Sequence, residues 1–286
     1  MNIVIIGAAR SGTNMLRDLL TNLNNIATWP CDEINYIWRY SNRSTEHDEF
    51  TISEVNDKNI DYINKQFEWV RKKYNVEHVV EKTCANSLRV EFVDSIVKDP
   101  KYVFIFRDPI DVIASADKRW KAELDIKYIL DKARFIPFSD VPYYGSKYLL
   151  NRVQKLLNKE KRLSYWGPKY KGFEKDASSL NAVEISAKQW KKSVEKSAET
   201  LKQIPSSKYI AIEYNNFVKD PEKHLKSILD FLNLNYNESA IQGISENVSS
   251  KSIGKGYESL DDRERAIIND IVGDTYRKIK EDFIKV

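Results

Sequence analysis

The chain has 286 residues, 46 Lys+Arg against 42 Asp+Glu and a net charge of +4. That length supports one large α/β domain with a full core, and the balanced charge does not call for a nucleic-acid partner. No apolar run approaches the length that spans a bilayer, and the two cysteines, Cys31 and Cys84, suit reduced thiols in a cytoplasm better than a disulfide framework. The apolar start is too short for a signal peptide and lacks a basic leader, so it is expected as the first strand.

In chain order, Ile3 to Ile6 form a continuous apolar run, the pattern of a parallel strand covered on both faces. Gly7 to Thr13 is small and polar, and Met15, Leu16, Leu19, Leu20 and Leu23 follow at helical spacing. A strand feeding a helix through such a loop aims backbone N–H groups and a helix N-terminus at one point, an anion site. Gly7 and Gly12 have Walker A spacing, but Thr13-Asn14 stands where Lys-Ser/Thr belongs. The phosphate lysine and the magnesium hydroxyl are both missing, while Arg10 and Ser11 lie inside the loop. The loop therefore suits a different phosphate-bearing nucleotide, handled without metal, better than an ordinary ATP or GTP hydrolase.

Ala27 to Trp29 reads as a short strand ended by Pro30, followed by Cys31-Asp32-Glu33. Ile60, Ile63, Phe67, Val70 and Tyr74 mark one face of an amphipathic helix. His78-Val79-Val80 reads as a strand delivering Glu81-Lys82-Thr83 to its end, and a helix through Val90 to Val97 stops at Asp99-Pro100. Tyr102 to Phe106 is the clearest strand; it carries Arg107-Asp108-Pro109 at its tip, with Pro109 opening the next helix. Alternating strands and helices imply right-handed crossovers and a parallel sheet, whose ligands bind beyond the carboxyl ends of the strands. Gly7–Thr13, Glu81–Thr83 and Arg107 all fall at that edge.

From Lys121 to Leu180 prolines and glycines interrupt the pattern, with a helix expected over Tyr148 to Leu157. Aromatics there suit an acceptor-binding cap. Lys147, Arg152, Lys155, Lys159, Lys161, Arg162, Lys169 and Lys171 form either a solvated face or a surface for an anionic acceptor. Trp190 and Val194 lie on a long helix before the strand Tyr209–Ile212, which ends in Glu213-Tyr214. Asp220-Pro221 opens a further helix. Asn247 to Gly256 is a basic, hydroxyl-rich loop, ahead of one last amphipathic helix through Ile267, Ile271 and Ile279.

Together these motifs resemble the PAPS-dependent sulfotransferase family, PAPS being 3′-phosphoadenosine-5′-phosphosulfate. Gly7 to Thr13 resembles the family's 5′-phosphosulfate loop. Tyr102 to Ser115 resembles its 3′-phosphate motif, a strand ending in Arg with a serine eight residues later. Glu213-Tyr214 with Asp220-Pro221 is similar to its nucleotide-contacting strand end, and Lys251 to Gly256 to its C-terminal phosphate segment. The spacing is closest to the tyrosylprotein, bacterial and heparan-type members.

The resemblance implies a P-loop-containing three-layer α/β fold: a central parallel sheet flanked by helices, forming one domain over residues 1–286 with an acceptor-binding cap at about 121–180. It implies PAPS as co-substrate, 3′-phosphoadenosine-5′-phosphate (PAP) as product, and a cytoplasmic enzyme acting on a hydroxyl acceptor, with a carbohydrate or anionic glycan the first expectation. Ala9, Arg10, Ser11, Gly12, Thr13 and Asn14 would hold the 5′-phosphosulfate; Arg107 and Ser115 the 3′-phosphate; Tyr214, Lys251, Ser252, Ile253, Gly254 and Lys255 the rest of the nucleotide. Lys82 would stabilise charge on the bridging oxygen as the sulfuryl group leaves, and Arg10, on the phosphosulfate, counts with it among the catalytic residues. Cys84 stands where cytosolic small-molecule members carry a histidine, and His47, His78 and His224 match no such position. Glu33 matches the base of the protein-tyrosine and heparan 3-O types and is preferred; Glu81 matches the E-K-S/T glutamate of heparan N-type enzymes. The rivals are a P-loop kinase of a nucleotide or small metabolite, a sulfotransferase of protein tyrosine or a small molecule, and a non-catalytic binding protein.

Overall fold

The computed structural model describes residues 1–120, 132–146 and 166–284. A five-stranded sheet lies at the centre, in the order β2-β3-β1-β4-β5 with every pairing parallel. The strands are β1 (Asn2–Ile6), β2 (Ile26–Ala27), β3 (His78–Lys82), β4 (Pro100–Phe106) and β5 (Tyr209–Glu213). Strand β2 is shorter than expected: Thr28 and Trp29 fall outside it, and Pro30 cannot donate to a ladder. The register sets Val4 beside Glu81 and Tyr102, and Ile6 beside Phe104, so the ends of β3, β1 and β4 come out side by side.

The two-residue period of a strand divides the core into two layers. Ile3, Ile5, Val103 and Ile105 face one side, where they meet Leu16, Leu19 and Leu20 of α1 (Thr13–Thr21) and Leu225, Ile228 and Leu229 of α9 (Pro221–Phe231). Val4, Ile6, Tyr102, Phe104 and Phe106 face the other. There they meet α3 (Asp57–Tyr74), α4 (Val90–Ile96), α5 (Pro109–Trp120) and α7 (Ala182–Leu201). Helices α2 (Asn35–Trp38), α6 (Phe173–Ser179) and α8 (Tyr214–Lys219) lie among these in the sequence. The three-layer arrangement is the one expected from the alternating pattern.

Beyond α10 (Glu238–Ser245) and α11 (Lys255–Ser259), the single last helix expected from the sequence is two, α12 (Asp262–Val272) and α13 (Thr275–Phe283). Gly273 at φ 54° ends the first, and its N–H closes on the Asn269 carbonyl at 2.8 Å. The expected helix over Tyr148 to Leu157 lies outside the described residues.

Two glycines make the turn after β1 possible. A Cβ on Gly7 would stand 2.4 Å from the Ile105 carbonyl oxygen, so only glycine lets β1 leave beside β4. Gly12 adopts φ 95°, and a Cβ there would meet Tyr214 Cδ2 at 2.4 Å. Gly12→Ala therefore combines a left-handed backbone with a clash against a buried ring. It is expected to cost about 1–3 kcal/mol and to lower Tm by several degrees in scanning calorimetry; an unchanged Tm would contradict this packing.

Candidate active site

The carboxyl ends of β3, β1, β4 and β5 open into one cavity of about 770 Å³. After β1, Arg10 at φ 71° and Gly12 at φ 95° turn the loop through left-handed conformations. Successive amides in such a turn form a concave, positive surface. Helix α1 begins there with no side-chain cap on Gly12 and no acidic residue in its own first turn, and Asn14 Nδ2 donates to Asp32 at 3.4 Å. Ala9, Arg10, Gly12, Thr13 and Asn14 line the cavity. Ser11 does not: it is fully buried, its hydroxyl unpartnered among the described residues.

Arg107 leaves the tip of β4 and is 6 % exposed. Its Nη2 donates to the Ser252 carbonyl at 2.6 Å, and its guanidinium lies over the Tyr214 ring at 4.3 Å. Tyr214 Oη and Ser252 Oγ share a hydrogen bond of 2.8 Å. The Arg107 Nε is buried and has no partner among the described residues. Across the cavity Arg10 Nε donates to Ser115 Oγ at 2.9 Å. Burial lowers the Arg10 pKa first, and Arg119 and Arg107 add to the effect. The two arginines from separate strand ends thus share one cavity with a third cation.

The sequence-predicted carboxylates part company. Glu33 lines the cavity beside Lys82: its Oε1 receives Lys82 Nζ at 3.2 Å and the Cys84 N–H at 3.4 Å, and Lys132 Nζ stands 3.7 Å from Oε2. Desolvation pushes the Glu33 pKa up, but Lys82 and Lys132 overcome it and hold the carboxyl at about 2. Burial lowers the Lys82 pKa, but Glu33, Cys84 and Asp32 together outweigh it and the pKa is raised. Asp32 is fixed by Arg17 at 3.0 Å.

Glu81 is turned away. It is fully buried beneath the sheet end, absent from the cavity lining, and accepts from Trp38 Nε1 at 3.0 Å and Asn86 Nδ2 at 2.9 Å. Lys82 pairs with Glu33 and not with Glu81, because alternate residues of β3 face opposite layers. Burial raises the Glu81 pKa.

Tyr214, Ser252, Lys255 and Ser115 line the cavity as expected, but Lys251, Ile253 and Gly254 do not. Lys251 is exposed, Ile253 packs on the apolar layer beside α9, and the Gly254 N–H is taken by Asp111 Oδ2 at 2.9 Å. Sequence reading missed Tyr36, Asp111, Lys118, Arg119 and Lys132, all of which line the cavity. Asp111, one helical turn beyond Arg107, carried a readable signal in that spacing.

From the expected cap, Lys132, Tyr144 and Trp166 to Lys169 face the cavity. Tyr170 does not: it is 3 % exposed, packed on Phe173, with its hydroxyl donated to Asp176 at 2.6 Å. Tyr165 and the basic residues from Lys147 to Arg162 lie outside the described residues. No helix among the described residues is long and apolar enough to cross a membrane.

Known proteins place this arrangement. A family model described as "Sulfotransferase domain" matches residues 1–259. No curated protein matches the chain. Among solved structures, the sulfotransferase domain from the curacin biosynthetic pathway is 14 % identical, with 94 % of this chain and 96 % of that one covered at a TM-score of 0.55. The sulfotransferase domain from the Synechococcus PCC 7002 olefin synthase is 13 % identical, covering 100 % and 96 % at 0.53. A mouse sulfotransferase complexed with PAP is 15 % identical, covering 98 % and 88 % at 0.50. At such identities the structures speak for the fold, and the domain match over most of the length speaks for the family. By that match this chain is a member of the sulfotransferase family.

Proposed function

We propose that the enzyme transfers a sulfuryl group from PAPS to a hydroxyl of a carbohydrate acceptor, by in-line displacement without a metal. One observation carries the donor: the loop of Arg10 and the side chain of Arg107, from separate strand ends, line the same cavity. An adenosine bearing anions at both its 5′ and 3′ positions meets both features. The α1 N-terminus and the Ala9–Asn14 loop hold the phosphosulfate, while Arg107 and Ser115 hold the 3′-phosphate and Tyr214 and Ser252 flank it. PAPS supplies an activated sulfuryl group on a good leaving phosphate. Fixed positive charge and alignment are what such a transfer requires of the protein.

Glu33 is the general base in this reading and accepts the acceptor's hydroxyl proton. Lys82, fixed by burial, neutralises charge building on the bridging oxygen. With both ammonium groups in place Glu33 is a weak base. An acceptor hydroxyl reaching Oε2 stands where Lys132 now does, and displacing that ammonium raises the basicity of the carboxylate. Glu81 lacks an open path to the acceptor.

The region of about 121–180 acts as the acceptor cap of a single domain. Tyr36 and Tyr144, in edge contact at 4.8 Å, and Trp166 offer faces to a sugar ring. Both cysteines are free, as a reducing cytoplasm would keep them. Incubation with radiolabelled PAPS and a panel of neutral and anionic glycans tests the reading, with label expected on glycan hydroxyls. Transfer only to peptide tyrosine or small phenols would overturn the acceptor and leave the reaction class standing.

A further inference from the structure

Asp111 reaches backward from the first turn of α5 and is 3 % exposed. Its Oδ1 accepts the Gly256 N–H at 2.8 Å. Its Oδ2 accepts the Gly254 N–H at 2.9 Å and lies 3.4 Å from Arg107 Nη2. The same Nη2 donates to the Ser252 carbonyl at 2.6 Å. Gly256 is pressed against the helix, since a Cβ there would stand 2.5 Å from the Ile110 carbonyl oxygen. One carboxylate therefore ties the tip of β4 and the start of α5 to a loop 145 residues away.

The charge balance explains why an acid is tolerated beside a phosphate site. A bare carboxylate lining the cavity would repel an incoming anion. Here both oxygens are engaged by backbone donors, and the remaining attraction is to Arg107. Holding Nη2 between the Ser252 carbonyl and Asp111 fixes the plane of the guanidinium at the cavity wall.

We propose that Asp111 is a positioning residue that sets selectivity for the 3′-phosphate, by fixing the 250–256 loop and aiming Arg107. The inference rests on the donor reading above. An asparagine there keeps the shape but presents an NH₂ to one of the two amides, so one tether is lost and the loop loosens. The test compares binding of PAP and of adenosine 5′-monophosphate to the wild type and to Asp111→Asn by calorimetry. The variant is expected to bind PAP about tenfold more weakly, the scale of one hydrogen bond to a charged group. Binding of the monophosphate is expected to change by less than about twofold. Amide hydrogen exchange at Gly254 and Gly256 should accelerate in parallel.

Equal loss of both nucleotides, or no loss of either, would overturn the role of Asp111 while leaving the donor reading intact. A wild type that does not prefer PAP would overturn the donor reading, and the role of Asp111 with it. Gly256→Ala disturbs the same tether from the loop side without touching the carboxylate. It should reproduce the selective loss if Asp111→Asn fails to fold, and an unchanged preference in that variant counts against the proposal.

Discussion

Glu33→Gln is expected to lower kcat/KM by ~10²–10⁴-fold, the range for losing a positioned general base. Nucleotide affinity should stay close to that of the wild type, because Glu33 sits on the acceptor side of Lys82 rather than in the Arg10 loop or beside Arg107. Glu81→Gln serves as the contrast. That residue accepts from Trp38 and Asn86 inside the fold, so its loss should appear in Tm while kcat stays within about fivefold. The reverse pattern, full turnover in Glu33→Gln and collapse in Glu81→Gln at unchanged Tm, would reassign the base.

The acid side of the pH profile carries the same test. The Glu33 carboxyl is held at about 2, below its ordinary 4.5. A depressed carboxyl stabilises the fold fully above about pH 4.5 and loses that contribution as pH falls toward 2. Lys132→Met removes one of the two ammonium groups, so the pKa rises and the acid limb of kcat/KM moves toward neutral pH. A limb that stays in place would show that Lys132 does not act on Glu33.

Lys82→Met is expected to lower kcat by ~10²–10³-fold, as for removing one preorganised charge or donor at a leaving or oxyanion oxygen. Lys82 Nζ stands 3.2 Å from Glu33 and its side chain is 2 % exposed, so its charge is held in place by burial. Lys132 reaches the other Glu33 oxygen at 3.7 Å. The substitution also raises the Glu33 pKa, because the leading Coulomb contribution to its depression is gone. Lys82→Met with Glu33→Gln should therefore lose less than the product of the single effects, since the residues act as a unit. Independent, multiplying losses measured by steady-state kinetics would contradict their coupling.

The sheet was legible because β1 and β4 are apolar on both faces, a pattern few other elements produce. The strand-tip residues were legible for the same reason: once strands alternate with helices, the residues just past each strand fall at one edge. Other features depend on side-chain direction or on contacts far apart in sequence. Whether Glu81 faces the cavity turns on which layer each residue of β3 addresses, and the motif around Lys82 is silent about that. Lys132 reaches Glu33 from 99 residues further along the chain, with no local pattern to announce it. The Lys251–Gly256 segment resembles a phosphate-binding segment, yet half of it is spent on Asp111 and the apolar layer. The break at Gly273 was hidden by isoleucines that keep helical spacing across it.

Everything proposed for the donor requires Arg10's loop and Arg107 to hold the two ends of one doubly phosphorylated adenosine. Calorimetry with PAP in the presence of a chelator, on the wild type and on Arg107→Ala, tests this most directly. Tight metal-free binding is predicted, weakened about 100-fold or more in the variant, the scale of a bidentate arginine–phosphate contact. No PAP binding, equal binding by both proteins, or stronger binding of magnesium ATP would contradict it.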